Sequence, residues 1–137
     1  MYLTQKFTGV VEGFEVNFVI YDKDHDTHGF VGYLPSDGSI YVAFRGSESL
    51  KNWMTNMESN KMDYKEEGCD KCQVHSGFMK AEKNVIEDIL LKVAALSQQH
   101  GTKKVKTTGH SLGAALAKLV AIDLVKASYE VSMYNFG

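Results

Sequence analysis

A helical pattern that is apolar on nearly every face runs through residues 114–127, AALAKLVAIDLVKA. A helix of this kind is stable only when it is buried, and the usual cover is a sheet. Strand patterns precede and follow it at Lys103–Thr108 and Glu130–Phe136. The end of the chain is therefore predicted to be a β-α-β unit, which places the chain in the α/β class.

The remaining periodicities complete a layered α/β fold. Three strands are predicted before the first long helix, at residues 14–21, 29–34 and 39–45. The run IYVAF in the third strand is apolar on both faces, as in a covered strand. A long helix is predicted over residues 77–99, with Gly101 as its stop signal. Residues 58–71 are polar and are predicted to be the longest loop.

Length and composition exclude several classes of protein. The 137 residues are enough for one domain, and an apolar fraction of 44% supports a core. A net charge of −2 lacks the basic footprint that nucleic-acid binding requires. No run approaches the roughly 18 apolar residues of a membrane span, and the N-terminus lacks the apolar run of a signal peptide.

The pattern G-x-S-x-G occurs at residues 109–113, between a predicted strand and the buried helix. This is the context of a nucleophile elbow, in which a tight turn projects a serine hydroxyl above the edge of a sheet. Ser111 is the candidate nucleophile, and Gly109 and Gly113 give the turn its room. The N–H of Leu112 is a candidate oxyanion donor. The alternative interpretation is a plain Gly-Ser loop before a helix.

The cysteines and histidines indicate no metal or redox centre clearly. A redox dithiol normally opens a helix after a strand, and the sequence after Cys69 and Cys72 lacks that pattern. A zinc site would use His75 as a third ligand but has no fourth nearby. The histidines in polar loops are expected to be solvated: His25, His28 and His100.

Four segments resemble, in the same order, segments of the class 3, fungal-type lipase family of α/β hydrolases. They are VAFRGSESLKNW, CDKCQVHSGF, TTGHSLGAALAKLVAIDL and MYNFG. Feruloyl esterases share the pattern, including an alanine where this chain has Ala114. The resemblance implies an α/β-hydrolase-type, mostly parallel sheet with helices on both faces, incomplete at both ends. Residues 1–137 would form one such domain, truncated after Gly137.

The resemblance also implies roles for particular residues. Ser111 matches the family's nucleophile, and Ser47 matches the residue whose N–H and hydroxyl bind the oxyanion. A turn cap is the alternative role for Ser47. The segment 49–57, with Ser49 as its N-cap, matches the lid helix, and an ordinary surface helix is the alternative. The apolar positions of this lid are Leu50, Trp53, Met54 and Met57.

Structural roles are implied for a further set of positions. Cys69 and Cys72 match a small disulfide, which needs an oxidising compartment and so indicates an extracellular or secretory location. His110 matches a structural position beside the nucleophile. Arg45, the only arginine, is predicted to form a forked, buried ion pair with Asp26 behind the oxyanion residue.

Two features depart from the family. The catalytic order in this fold is Ser, Asp, His, but the only aspartate after Ser111 is Asp123, inside the buried helix, and no histidine follows. Because the chain ends 26 residues after Ser111, it looks like the central part of a longer domain. Lys106 occupies a strand position that is apolar in the family, which predicts a solvent-accessible sheet face there.

The resemblance implies a serine carboxylic ester hydrolase that acts through an acyl-enzyme, most simply a triacylglycerol lipase. Feruloyl esterase and phospholipase A1 are alternatives within the family, and an inactive remnant that binds lipid or protein is an alternative of another class. No cofactor or metal is expected, and the substrate would be a lipid or ester at an interface. Without the Asp and His of a triad, the 137 residues are expected to hydrolyse esters poorly. They are also expected to self-associate or to need a missing C-terminal segment.

Overall fold

The computed structural model describes residues 9–46 and 60–137. Within these ranges, a 3-10 turn at Gly9–Val11 is followed by seven strands and two α-helices. The strands are β1 (Glu15–Asp22), β2 (Thr27–Leu34), β3 (Ser39–Phe44), β4 (Lys61–Asp63), β5 (Gln73–His75), β6 (Lys104–His110) and β7 (Glu130–Phe136). The helices are α1 (Ser76–His100) and α2 (Leu112–Lys126).

Five strands form the main sheet, in the order β1-β2-β3-β6-β7. The pairs β1–β2 and β2–β3 are antiparallel, whereas β3–β6 and β6–β7 are parallel. The sheet is therefore mixed rather than mostly parallel over the described residues. The reason is connection length, because short turns join the first three strands and force them to alternate in direction. Only β6 and β7 are reached through a helix, and each of them runs parallel to the strand that precedes it in the sheet order.

Both helices cover the same face of this sheet. Their apolar stripes share one buried cluster with alternate residues of the central strands, among them Val31, Val42 and Val105. Helix α1 contributes Val85, Ile89 and Val93 to this cluster, and helix α2 contributes Leu116, Val120 and Leu124. The expectation of helices on both faces is thus not met by residues 9–46 and 60–137, where the second face carries no helix.

The second face is lined by aromatic and charged side chains instead. Phe14 meets Phe30 and Tyr41 edge to face, with ring centroids 5.6 and 5.7 Å away. Lys106 Nζ lies 2.6 Å from Asp37 Oδ2 on this face. Both side chains of the pair are about 30% exposed, which confirms the prediction that Lys106 marks an accessible face.

The polar stretch after residue 58 is more ordered than a loop. Strands β4 and β5 pair as an antiparallel ribbon, and Glu66 bridges to Cys69 between them. Cys69 and Cys72 form a disulfide with Cα atoms 5.5 Å apart, so the pairing implied by the family resemblance is confirmed. The zinc and dithiol alternatives do not apply to the oxidised pair.

Helix α1 agrees with its predicted range to within one residue at each end. His75 caps it, because its Nδ1 accepts a hydrogen bond from the N–H of Gly77 at 3.0 Å. At the other end Gly101 adopts a left-handed conformation with φ of 61°, as a C-terminal glycine stop requires. The segment predicted as a lid helix, residues 49–57, lies outside the described residues.

Candidate active site

Ser111 lies in the tight turn between β6 and α2. Its φ of 53° and ψ of −117° are unusual for a residue with a side chain. Two backbone hydrogen bonds of 3.0 Å hold the turn: the Ser111 N–H donates to Phe136 O, and the Ala114 N–H donates to Ser111 O. Strand, strained serine and helix N-terminus are the parts of a nucleophile elbow.

The glycines on either side of Ser111 are required by close backbone approach. A Cβ at Gly109 would lie 2.2 Å from the carbonyl oxygen of Gly113. A Cβ at Gly113 would lie 2.6 Å from Phe44 O and 2.7 Å from Arg45 O, at the end of β3. No side chain fits at such distances, so the two glycines let the turn close and let α2 approach β3.

The start of α2 gives the Ser111 hydroxyl a favourable setting for negative charge. The first N–H groups of a helix have no partner within it, and Leu112 is the first residue of α2. The helix dipole adds a partial positive charge there. The Ser111 side chain makes no capping hydrogen bond to the first turn of α2. The hydroxyl is therefore not engaged in capping α2, and Leu112, which follows it in the chain, begins the helix.

The end of β3 brings a second loop close to Ser111. A Cβ at Gly46 would lie 3.7 Å from the Cβ of Ser111 and 3.0 Å from His110 O. The next residue along the chain is Ser47, which lies outside the described residues. The described backbone therefore reaches Ser111 one residue before the position predicted to bind the oxyanion.

His110 is exposed and lies at the end of β6. A Cβ at Gly46 would lie 3.5 Å from its Nδ1, and one at Gly137 would lie 3.1 Å from its Nε2. The ring thus fills space between two chain segments that flank Ser111. This arrangement supports a structural role for His110.

Asp26 and Arg45 lie close together, with Asp26 Oδ1 3.7 Å from Arg45 Nη2 and 3.3 Å from His28 Nε2. The predicted proximity is confirmed. The predicted burial is wrong, because the side chains of Asp26 and Arg45 are 42% and 49% exposed. An exposed pair of this kind contributes at most about 1 kcal/mol to the free energy of unfolding. Because Arg45 is also exposed, Asp26→Ala would leave no buried charge behind.

The three histidines expected to be solvated all have partners. His25 Nδ1 lies 2.8 Å from Asp22 Oδ2, which also accepts a 3.0 Å hydrogen bond from Asn84 Nδ2 on α1. Partial burial opposes ionisation, but these bonds hold the pKa of the Asp22 carboxyl below its usual value. The Asp-x-x-His spacing was the available sequence signal for this contact.

The other two histidines contact tyrosine rings. His28 lies 4.9 Å from Tyr21, centroid to centroid. His100 stacks on Tyr33 at 3.6 Å with 9° between the planes. Tyr21 and His28 meet because β1 pairs with β2, and Tyr33 and His100 meet because the end of α1 packs on β2. Neither contact was indicated by a local sequence pattern.

Sequence reasoning also missed a carboxyl pair between the helices. Glu82 is only 3% exposed, and it falls on the apolar stripe of α1 between Phe78 and Val85. Burial and hydrogen bonding to Asp123 of α2 raise the pKa of Glu82 to about 8. Asp123 therefore faces α1 rather than the nucleophile, 12 residues and about 18 Å along the helix from Ser111. Its position does not match that of a triad acid.

The described part of the chain contains neither a metal-binding cluster nor a helix suited to crossing a membrane. No group of three or more His, Cys, Asp or Glu side chains there could hold a metal ion. Neither α1 nor α2 combines the length and apolar character that a membrane-crossing helix needs.

Comparison with known proteins agrees with this geometry. The family described as Lipase (class 3) matches residues 41–137. Over 111 residues the chain is 34% identical to "Lipase" of Rhizomucor miehei, which covers 81% of this chain and 30% of that protein. It is also 34% identical to "Secreted mono- and diacylglycerol lipase 1" of Fusarium solani, over 80% of this chain and 33% of that protein.

A solved structure gives the same result in three dimensions. The mono- and diacylglycerol lipase from Aspergillus oryzae superposes with a TM-score of 0.79 at 36% identity, over 90% of this chain and 46% of that one. The expected α/β-hydrolase-type fold is therefore confirmed. The chain spans about a third of the length of these curated relatives. Its family is nevertheless clear from the match over most of its own length: the chain belongs to the class 3 lipases.

Proposed function

We propose that this chain is the nucleophile-bearing part of a single α/β-hydrolase domain that cleaves carboxylic esters through an acyl-enzyme. The observation that carries the proposal is Ser111, with φ of 53°, between β6 and the N-terminus of α2. The proposed substrate is an acylglycerol. Names such as "Secreted mono- and diacylglycerol lipase" belong to the relatives and support this substrate class here.

In the proposed reaction, Ser111 Oγ attacks the ester carbonyl carbon, and its proton passes to a general base. The carbonyl oxygen becomes an oxyanion, which the Leu112 N–H and the N–H and hydroxyl of Ser47 would stabilise. Several fixed donors matter because the loss of one costs roughly 3 kcal/mol. The protonated base then gives its proton to the leaving oxygen, the carbon–oxygen bond of the ester breaks, and the alcohol departs. Water, deprotonated by the same base, attacks the acyl carbon, and the acid is released as Ser111 regains its proton.

The general base is proposed to be a histidine that the 137 residues do not contain. In this fold the acid and base follow the nucleophile in the chain, and no histidine follows Ser111. The greater length of the relatives supports this proposal. An extracellular or secretory location is proposed as well, supported by the Cys69–Cys72 disulfide and by relatives that are named as secreted.

A labelled fluorophosphonate and external imidazole together test the nucleophile. Ser111 should react covalently with the probe, and Ser111→Ala should abolish labelling. Short-chain ester turnover by the 137 residues should be slow, because a serine without its base is a weak nucleophile. Added imidazole should raise the rate by supplying a base, and it should have no such effect on Ser111→Ala.

Two outcomes would contradict this assignment. Labelling that persists in Ser111→Ala would place the nucleophile elsewhere. Efficient turnover without imidazole, lost in Ser111→Ala, would mean that a base lies within the chain. The matched control is Ser132→Ala, a serine on β7, which should leave labelling unchanged.

We further propose that residues 49–57 act as a lid over Ser111, with Trp53 on the apolar side. An amphipathic lid moves when it exchanges protein contacts for a lipid surface. Trp53 is the only tryptophan, so its emission reports this segment directly. The emission should change on addition of lipid micelles, and Trp53→Phe should abolish the signal. An unchanged spectrum at saturating micelles would favour an ordinary surface helix.

A further inference from the structure

A groove of about 430 Å³ opens between the β4–β5 ribbon and helix α2. Its apolar lining comes from the ribbon side, from α1 and from α2: Tyr64, Val74, Phe78, Ala115, Leu119 and Ile122. Phe78 and Leu119 are buried in one cluster, against which Tyr64, Val74 and Ala115 pack. The volume lies in the range of small-molecule sites, and the apolar lining favours a hydrocarbon group.

The groove carries one lysine on each wall. Lys61 belongs to β4 and Lys118 belongs to α2, and both are exposed. Within residues 9–46 and 60–137, neither ammonium group lies within ion-pair distance of a carboxylate. The two lysines therefore leave positive charge at an apolar groove.

Nearby carboxylates are already engaged elsewhere. Glu66 Oε1 lies 2.5 Å from Lys126 Nζ, and this hydrogen bond lowers the pKa of the Glu66 carboxyl. Asp63 Oδ1 accepts a hydrogen bond from Gln73 on the neighbouring strand. Neither carboxylate is paired with Lys61 or Lys118, so the charge of these lysines is left for a ligand.

We infer that this groove binds the anion of a fatty acid, with the hydrocarbon chain between the ribbon and α2 and the carboxylate held by Lys61 and Lys118. A single acyl chain with one negative end matches both features of the groove. A neutral alcohol lacks the charge, and a cationic amphiphile carries the wrong one. The site is separate from Ser111, although a fatty acid is also a product of the proposed function.

Calorimetric titration with dodecanoate, below the concentration at which it aggregates, tests the inference. One equivalent should bind, and dodecanol and dodecylamine should bind at least about tenfold more weakly. Lys61→Glu with Lys118→Glu should weaken dodecanoate binding at least about tenfold. Lys103→Glu with Lys104→Glu is the matched control, since it makes the same total charge change at two exposed residues at the start of β6.

The methyl resonances of Val74 and Ile122 should shift when dodecanoate binds. Ile122→Asp should abolish dodecanoate binding and leave the circular dichroism spectrum unchanged. Because Lys61 and Lys118 are exposed, Lys61→Gln and Lys118→Gln provide milder variants that keep the fold. Ser111→Ala should bind dodecanoate as tightly as the parent. Failure of the nucleophile assignment would therefore leave this result untouched.

Several results would overturn the inference. These are equal affinity for the three head groups, unchanged affinity in the double lysine variant, and shifts confined to methyls outside the groove. Association with lipid vesicles but not with monomeric dodecanoate would instead indicate adsorption to a membrane surface. A groove already filled by another part of the chain would give no binding at all, which also contradicts the inference.

Discussion

The Ser111 backbone occupies a region that costs about 1–3 kcal/mol for a residue with a side chain. It persists because neighbouring groups fix it on both sides, through the bonds to Phe136 O and from the Ala114 N–H. The backbone leaves no room for a Cβ at Gly109 or Gly113. The strained conformation of Ser111 therefore also requires glycine at both of these positions.

Gly113→Ala should destabilise the fold by about 3 kcal/mol, because its Cβ would press on the carbonyl oxygens of Phe44 and Arg45. Gly68→Ala is the control. Gly68 has φ of 86° but open space around it, so its substitution should cost only about 1 kcal/mol. Urea unfolding measures both free energies. Equal losses would mean that close approach at Gly113 is not what requires the glycine.

At the scale of elements, helices α1 and α2 meet through a buried carboxyl as well as through apolar side chains. Glu82 of α1 faces Asp123 of α2, with Lys126 of α2 and Lys83 of α1 also acting on it. The Oε1 atom of Glu82 is buried without a hydrogen-bond partner among the described residues. An ionised Glu82 would be costly there, which is why burial and Asp123 raise its pKa to about 8.

The stability of the α1–α2 pair should therefore depend on pH. The folded state keeps a proton on Glu82 that the unfolded chain releases near its ordinary pKa of 4.5. The contribution of Glu82 to the free energy of unfolding is fully present below pH 4.5. It falls as the pH rises towards about 8, and it does not change further above that pH. A pKa that differs by one between the folded and the unfolded state corresponds to about 1.4 kcal/mol in the free energy of unfolding.

Glu82→Gln should remove this slope, because the amide cannot ionise. Urea unfolding between about pH 5 and pH 8 should show the parent losing at least about 1.4 kcal/mol more than the variant. Glu87→Gln, an exposed change on the same helix, should behave like the parent. Identical slopes in the parent and Glu82→Gln would contradict the buried, protonated carboxyl.

Across the whole molecule, the sheet is covered on one face and has β7 as an edge among the described strands. Large apolar side chains of β7 are exposed: Met133 45%, Tyr134 54% and Phe136 62%. An edge strand that carries only one charged residue, Glu130 at its start, and exposed aromatic groups offers backbone groups and apolar surface to another strand. The 137 residues are therefore expected to self-associate through β7.

Tyr134→Lys should reduce this self-association, because a charge on an edge strand opposes pairing with a second copy. Sedimentation equilibrium over a range of concentrations measures the effect. Leu91→Lys is the control, since Leu91 is 68% exposed on α1, away from the edge. If the control dissociated the assembly and the β7 variant did not, the contact would involve the helical face instead.

Some parts of this molecule follow from local pattern alone. The β7 strand has the predicted bounds, and α1 differs from its prediction by one residue at each end. Ser111 lies in its predicted turn, because a strand, a small-residue turn and a buried helix are encoded within 30 residues or so of continuous sequence. Periodicity and glycine spacing act over such distances and can be read directly from the sequence.

Other parts were decided only by tertiary structure. Sheet direction depended on which strands became neighbours, and the position of both helices on one face depended on how their stripes packed together. Glu82 is polar in sequence, yet α2 covers it, and Asp26 and Arg45 met at a surface rather than in the interior. The sequence by itself determined the two helices, the five strands of the main sheet and the turn at Ser111, because these depend on contacts between residues close in the chain. The β4–β5 ribbon was not predicted, because its two short strands have no apolar pattern of their own. Burial, pairing and pKa depend on residues that are far apart in the chain, and only the assembled sheet and helices brought those together.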